Sequence, residues 1–170
     1  INENLQNSDI SYLTDKNGLD LRNYQINAIK SVEEAILRGD KRALLVMATG
    51  TGKTRVAVGL SYRLIKSNRF RRILFLTDRR TLAEQAGDDF GDYKLENFNT
   101  FTDIYKINKL GKMDTEVETR VQFATVQSMV KRLFYATDEA KNHLPIDTYD
   151  CIIVDEAHRG YNEDVELNED

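Results

Sequence analysis

Short apolar runs alternate along this chain with longer stretches in which apolar residues recur every three or four positions. A short apolar run is typical of a strand buried on both faces of a sheet, and the longer period is typical of a helix. Strands are predicted at 42–48, 71–77, 121–126 and 151–154, and helices at 21–37, at 53–66, around Leu82, Ala86 and Phe90, and around Met129, Val130, Leu133 and Phe134. This alternation predicts an α/β fold, a three-layer parallel sheet with helices on both faces.

The ends of the chain differ from its middle. Residues 1–20 are polar with an Asn17-Gly18 turn signal, and we expect an extension with little regular structure. Residues 21–161 form the predicted domain, and 162–170 form an acidic tail. The start at Ile1 and the acidic end lead us to expect a piece of a longer protein. The pattern of apolar residues at 92–120 predicts no more than a short helix or a packed loop.

Composition narrows the class of protein. Hydrophobic residues make up 41% and charged residues 31%, as in globular proteins, and no apolar run reaches the roughly 20 residues of a membrane span. The single cysteine, Cys151, excludes an internal disulfide framework and fits a reducing compartment, which predicts a cytoplasmic protein. The net charge of -4 argues weakly against a dedicated nucleic-acid-binding domain, although a local basic strip remains compatible with it.

A phosphate-binding loop follows the first apolar run and opens the next helix. Its glycines allow backbone N–H groups to approach phosphates, and the helix start adds its positive dipole end. Lys53 is predicted to reach the β and γ oxygens, and the Thr54 hydroxyl to bind Mg²⁺. Met47 replaces the first glycine of the general motif, so an ordinary strand–turn–helix remains the alternative. The loop comprises Ala48, Thr49, Gly50, Thr51, Gly52, Lys53 and Thr54.

Asp155-Glu156-Ala157-His158 ends the last apolar run. A carboxylate at the end of a strand can hold Mg²⁺, and a second can deprotonate an attacking water. We therefore predict Asp155 as the metal partner and Glu156 as the general base, with a solvated acidic turn as the alternative. His158 alone is weak evidence, and His143 has no motif around it.

These motifs together resemble the first RecA-like lobe of superfamily-2 helicases and translocases. In that family the loop reads A-x-x-G-x-G-K-[ST], which residues 48–54 match, so Met47 is no longer a departure. The resemblance implies that Gln25, with Arg22, belongs to a glutamine motif that reads adenine, and hence implies ATP over GTP. It also implies a catalytic site that includes His158.

The segments MATGTGKT, LTDRRTLAEQA, FATVQSM and VDEAHRGY are similar to the motor subunit of type I restriction enzymes. That resemblance implies an ATP-driven DNA translocase, a hydrolase with ATP and Mg²⁺ as cofactors and with methylase and specificity subunits as partners. Within these 170 residues we find no nuclease motif before Leu21 and neither an S-A-T segment nor a second lobe after Tyr161. Because family members complete the site with arginines of the second lobe, this segment alone is expected to lack efficient turnover.

Two strand ends carry candidate contacts to a nucleic-acid backbone. Arg79 and Arg80 open a helix after the second strand, where phosphates can meet guanidinium and N–H groups. Thr125, Gln127 and Ser128 follow the third strand. The alternatives are a solvated helix start for the arginines and helix capping for Thr125 and Ser128.

Three other functions remain open. The first is another superfamily-2 helicase acting on DNA or RNA, and the second is a type III restriction subunit. These proteins share many of the sequence motifs quoted above. The third is a nucleotide-gated binding module with no motor role, which the intact Glu156 argues against.

Overall fold

A computed structural model describes residues 5, 9–109, 118–134, 145 and 147–159. The acidic tail, Tyr161 and His143 lie outside the described residues. The described helices are α1 (Asn23–Arg38), α2 (Lys53–Lys66), α3 (Arg80–Asp92), α4 (Phe101–Ile104) and α5 (Val126–Phe134), with 3-10 turns at Ser11–Thr14 and Ala157–Arg159. The described strands are β1 (Ile73–Thr77), β2 (Lys106–Asn108), β3 (Thr119–Thr125) and β4 (Cys151–Val154).

The chain divides into two compact units. The first unit comprises residues 1–71 and 88–106, and the second comprises 72–87 and 107–170. The first unit therefore holds α1, α2 and the phosphate loop, and the second holds β1, β3 and β4.

The predicted α/β class with a parallel sheet is confirmed. The four strands lie in the order β2-β3-β1-β4, and β1 pairs in parallel with both β3 and β4. The register places Thr77 beside Thr125 and Leu76 beside Val154, so these three strands end at one edge of the sheet. Buried apolar side chains such as Ile73, Phe75, Val121 and Phe123 hold the strands together.

The prediction of a strand at 42–48 is wrong. The structure assigns these residues to no strand, and the side chains of Leu44 and Val46 are 78% and 89% exposed. An apolar run becomes a buried strand only where a neighbouring strand satisfies its backbone hydrogen bonds. The apolar run at 42–48 shows which residues avoid water, but it does not show whether a neighbouring strand is present to pair with them.

The predicted extension at 1–20 has little regular structure in its described part, but it packs into the first unit. Leu5, Leu13 and Leu19 are fully buried within the first unit, and a 3-10 turn forms at Ser11–Thr14. The ring of Tyr12 meets the ring of Tyr62 edge to face, with 5.5 Å between the centroids. Widely spaced apolar residues therefore anchor a segment whose composition is polar.

A buried ion pair joins α1 to α2. The guanidinium of Arg63 binds both carboxylate oxygens of Glu33, and the two side chains are 2% and 9% exposed. The same guanidinium donates to the carbonyl oxygens of Asp9 at 3.1 Å and Leu5 at 3.4 Å. Since a buried charge is stable only when it is paired and hydrogen-bonded, these contacts fix the two helices and the N-terminal segment together.

None of the described helices has both the length and the apolar character that crossing a membrane requires.

Replacing Arg63 by methionine is expected to lower the free energy of unfolding by about 3 kcal/mol, because it leaves the Glu33 carboxylate buried without its partner. The matched control is Arg38→Met, which breaks an ion pair to Asp40 whose side chains are 63% and 46% exposed. That control should cost less than about 1 kcal/mol. Denaturant unfolding measures both, and equal losses would contradict the role given to the buried pair.

Candidate functional site

The phosphate loop forms a tight turn in the first unit. The N–H and hydroxyl groups of Thr51 both donate to the Ala48 carbonyl oxygen, at 3.3 and 2.6 Å. Gly50 and Gly52 have φ of 78° and 81°, a conformation that glycine adopts at little cost. A Cβ at Gly50 would meet nothing within 4 Å, so the space in front of this part of the loop is open.

The loop leads directly into α2. Gly52 is the N-cap residue, and Lys53 and Thr54 lie in the first turn, both partly buried. Backbone N–H groups of a first helical turn have no partner within the helix, and the helix dipole favours negative charge there. Ala48 and Thr49 are exposed beside this turn. The loop therefore has the backbone geometry and charge of an anion-binding site.

Helix α1 holds the loop from one side. The Gln25 side chain accepts a hydrogen bond from the Arg22 N–H at 2.8 Å and donates one to the Thr51 carbonyl oxygen at 2.9 Å. Gln25 is 4% exposed, whereas Arg22 is exposed at the N-cap of α1. The structure thus joins the predicted glutamine motif to the phosphate loop, while its predicted contact with adenine stays a prediction.

Tyr24 also contacts the phosphate loop, a role that its position in the sequence did not predict. Its hydroxyl donates to the same Thr51 carbonyl oxygen at 3.0 Å. The only signal in the sequence is its position beside Gln25 in the glutamine motif.

The acidic motif lies at the end of β4 in the second unit. The Asp155 N–H donates to the Leu76 carbonyl oxygen of β1, and the Asp155 carboxylate accepts the Glu156 N–H, both at 2.9 Å. A Glu156 carboxylate oxygen lies 3.3 Å from Nδ1 of His158, whose side chain is 72% exposed. Asp155 is therefore fixed at the carboxyl edge of the sheet, with Glu156 and His158 next to it.

Glu156 adopts a backbone conformation that is unfavourable for its residue type. Its φ is 53°, in the left-handed region that costs a non-glycine residue about 1–2 kcal/mol. Strained residues of this kind concentrate at functional sites, where the surrounding structure holds them. Because residues 155–156 form a turn, this conformation is compatible with both the catalytic role and the acidic-turn alternative, and the role of Glu156 stays a prediction.

Arg79 and Arg80 follow β1 and have side chains that are 69% and 73% exposed. Nε of Arg79 lies 3.8 Å from the Asp78 carboxylate, and Nε of Arg80 lies 3.2 Å from that of Glu84. The Arg80–Glu84 pair is exposed on both sides and is therefore weak, and the Arg79–Asp78 contact is longer than a hydrogen bond, so both guanidinium groups can exchange these partners for phosphate oxygens at small cost.

Helix capping accounts for two of the three residues that follow β3. The Ser128 N–H donates to the Thr125 hydroxyl at 3.1 Å, and the Thr125 N–H donates to the Ser128 hydroxyl at 3.2 Å. These reciprocal bonds close the first turn of α5, as the capping alternative predicts. Gln127 is exposed between them, so its amide is the most accessible of the three.

Comparison with known proteins gives one family match. Residues 18–168 match the family described as "Type III restriction enzyme, res subunit". No solved structure gives a significant match to the chain.

Three relatives indicate the range of similar proteins. The chain is 50% identical over 151 residues to the Type I restriction enzyme EcoKI endonuclease subunit of Escherichia coli (strain K12), covering 89% of this chain and 12% of that protein. It is 35% identical to the EcoAI endonuclease subunit of Escherichia coli, covering 88% of this chain and 17% of that protein. It is 32% identical to the Putative ATP-dependent helicase IRC3 of Saccharomyces cerevisiae (strain ATCC 204508 / S288c), covering 81% of this chain and 19% of that protein. The chain therefore spans less than a fifth of the length of these relatives.

Gly52→Ala is expected to destabilise the first unit more than Gly50→Ala. Both changes place a side chain at positive φ, which costs about 1–2 kcal/mol. A Cβ at Gly52 would also lie 2.5 Å from Nε2 of Gln25 and would displace the amide from the Thr51 carbonyl. The lost hydrogen bond should add about 1 kcal/mol. Denaturant unfolding compares the two variants, and equal costs would refute the packing of Gln25 on Gly52.

Proposed function

The chain belongs to the type III restriction enzyme res-subunit family, and we propose that it is the ATP-binding lobe of an ATP-dependent DNA translocase. The observation that carries the proposal is the phosphate loop, with two glycines at positive φ directly before the start of α2. We assign it to the endonuclease subunit of a type I restriction-modification enzyme, because two relatives of that name share 50% and 35% of the aligned residues.

In this proposal the loop residues from Ala48 to Thr54 hold the triphosphate. Backbone N–H groups at the start of α2 donate to the phosphate oxygens, while the Thr51 N–H closes the turn on the Ala48 carbonyl. The Lys53 ammonium offsets the charge on the β and γ groups. Gln25, with Arg22 at the same helix start, selects adenine. ATP is therefore the proposed nucleotide.

The proposed chemistry is attack of water on the γ-phosphorus. Glu156 accepts the proton of the water as the new P–O bond forms and the bond to ADP breaks. His158, whose ring lies 3.3 Å from the Glu156 carboxylate, orients that carboxylate. The Thr54 hydroxyl and the Asp155 carboxylate are hard oxygen donors of the kind that Mg²⁺ prefers. Mg²⁺ supplies neutralisation of phosphate charge when it is bound.

The proposed partners are DNA, a second RecA-like lobe, and the methylase and specificity subunits of a restriction complex. Arg79 and Arg80 bind backbone phosphates, and Gln127, on the helical turn that Thr125 and Ser128 cap, contacts the same backbone. Each contact is independent of base sequence. Because the proposed translocation of DNA takes place inside the cell, a cytoplasmic location follows from the proposal.

A second candidate is an ATP-dependent helicase, favoured by the 32% identity to the yeast relative of that description. The two candidates differ in their product, since a helicase releases single strands and a translocase leaves the duplex intact. A strand-displacement assay beside a triplex-displacement assay on the full-length protein separates them. Release of single strands with no triplex displacement would overturn the translocase assignment.

Lys53→Ala is expected to abolish measurable ATP binding, because the ammonium group is the proposed counter-charge to the β and γ phosphates. Isothermal calorimetry on the full-length protein measures the affinity. Lys66→Ala is the control, since it removes the same charge from the last turn of α2. Unchanged affinity in Lys53→Ala would refute the assigned phosphate site.

Glu156→Gln is expected to keep ATP binding and to lower the hydrolysis rate by at least about 100-fold, because it removes the general base and keeps the shape of the side chain. Phosphate release under DNA saturation gives the rate, and calorimetry gives the affinity. Glu84→Gln is the control, a neutralised carboxylate on the exposed face of α3. A Glu156→Gln variant with near-normal turnover would exclude the general-base role.

Arg79→Ala and Arg80→Ala should each weaken DNA binding equally on all sequences. Each should also lower the slope of log affinity against log salt concentration by about 1, since one phosphate contact is lost. The control is Arg71→Ala, an exposed arginine before the amino end of β1. Fluorescence anisotropy at several salt concentrations measures the slope. A slope that stays at its original value in both variants would contradict the backbone contact.

A further inference from the structure

The carbonyl oxygen of Thr51 accepts two side-chain hydrogen bonds from neighbouring residues of α1. The Tyr24 hydroxyl donates at 3.0 Å and Nε2 of Gln25 donates at 2.9 Å. A carbonyl oxygen has two lone pairs, so these two donors satisfy it.

The direction of this carbonyl determines the direction of the next N–H group. The described residues contain no cis peptide bond, and in a planar trans peptide the C=O and the following N–H point in opposite directions. Hydrogen bonds that hold the Thr51 carbonyl toward α1 therefore aim the Gly52 N–H away from α1. That N–H belongs to the loop whose backbone donors are proposed to hold phosphate.

The backbone alone does not select this orientation. Rotation of the Thr51–Gly52 peptide changes ψ of Thr51 and φ of Gly52, and glycine accepts positive and negative φ with similar ease. Gly52 has φ of 81° here. The choice between the two peptide orientations therefore depends on the side-chain donors of α1.

The two donor side chains, Tyr24 and Gln25, differ in their other contacts and in their burial. Gln25 is 4% exposed and also accepts the Arg22 N–H, so its amide helps to close the start of α1. Tyr24 is 45% exposed, and its ring contributes little to the core. The Tyr24 hydroxyl can therefore be removed without disturbing the packing of the first unit.

We propose that Tyr24 is a positioning residue for the phosphate loop: its hydroxyl holds the Thr51 carbonyl so that the Gly52 N–H faces bound phosphate. The inference rests on the proposed nucleotide-binding function. It gives Tyr24 a role that acts on the phosphates through the backbone and is independent of the base.

Tyr24→Phe tests the proposal in the full-length protein with two ligands, ATP and inorganic tripolyphosphate. Tripolyphosphate carries the phosphates without a base. Loss of one hydrogen bond to the loop should weaken both ligands by a similar factor, about three- to tenfold. The KM for ATP should rise by the same factor while kcat is unchanged, because the chemical step does not involve Tyr24. A variant that loses ATP affinity and keeps tripolyphosphate affinity would show a base contact and would overturn the proposal.

The matched control is Tyr93→Phe, which removes the same atom from a ring that faces the Arg55 guanidinium at 4.9 Å. The ring remains in that variant, so both affinities should equal those of the unmodified protein. Thermal melting of Tyr24→Phe should match the unmodified protein, because the side chain is half exposed. If the unmodified protein binds neither ligand, the proposed function fails. If it binds both and Tyr24→Phe binds them equally well, the role of Tyr24 is refuted.

Discussion

The buried ion pair between Glu33 and Arg63 constrains the helices on either side of the phosphate loop. The charges of both side chains are removed from water, so the structure is stable only where the two groups meet and their remaining hydrogen-bonding capacity is used. Arg63 lies on α2, which begins at the loop, and Glu33 lies on α1, which carries Tyr24 and Gln25. The pair therefore fixes the relative position of the two elements that determine the loop conformation.

This constraint explains how a loop of small, exposed residues can hold one conformation. The loop is joined covalently to the first turn of α2, and its Thr51 carbonyl is bound by two side chains of α1. A shift of α1 along α2 would break both hydrogen bonds and would separate the charges of the ion pair. Because these losses occur together, side chains of α1 hold the glycine-rich turn from outside, in addition to the hydrogen bond that the Thr51 hydroxyl donates to the Ala48 carbonyl within the turn.

The sequence predicted the elements whose signal is local and missed those that depend on distant partners. Helical periodicity placed α1 and α2 to within two residues, because helical hydrogen bonds close within the element. The apolar run at 42–48 had the composition of a strand, but strand formation needs a neighbour that the run does not specify. Glu33 and Arg63 are 30 residues apart in sequence, and nothing in either local pattern predicts that they pair. The phosphate loop was predicted from its own sequence motif, whereas the hydrogen bond from Tyr24 to the loop became visible only in the structure.

The contacts proposed for DNA follow from the requirements of a motor. A protein that moves along a duplex meets a different base sequence at each step, so a contact that read base edges would bind some positions tightly and slow the next step. Contacts to phosphate avoid this because the backbone repeats identically. The side chains of Arg79 and Arg80 are exposed, and their described ion pairs, to Asp78 at 3.8 Å and to Glu84 at 3.2 Å, leave both guanidinium groups accessible to phosphate. In the proposed motor, each of these two contacts would be made and released without regard to base sequence, as repeated stepping requires.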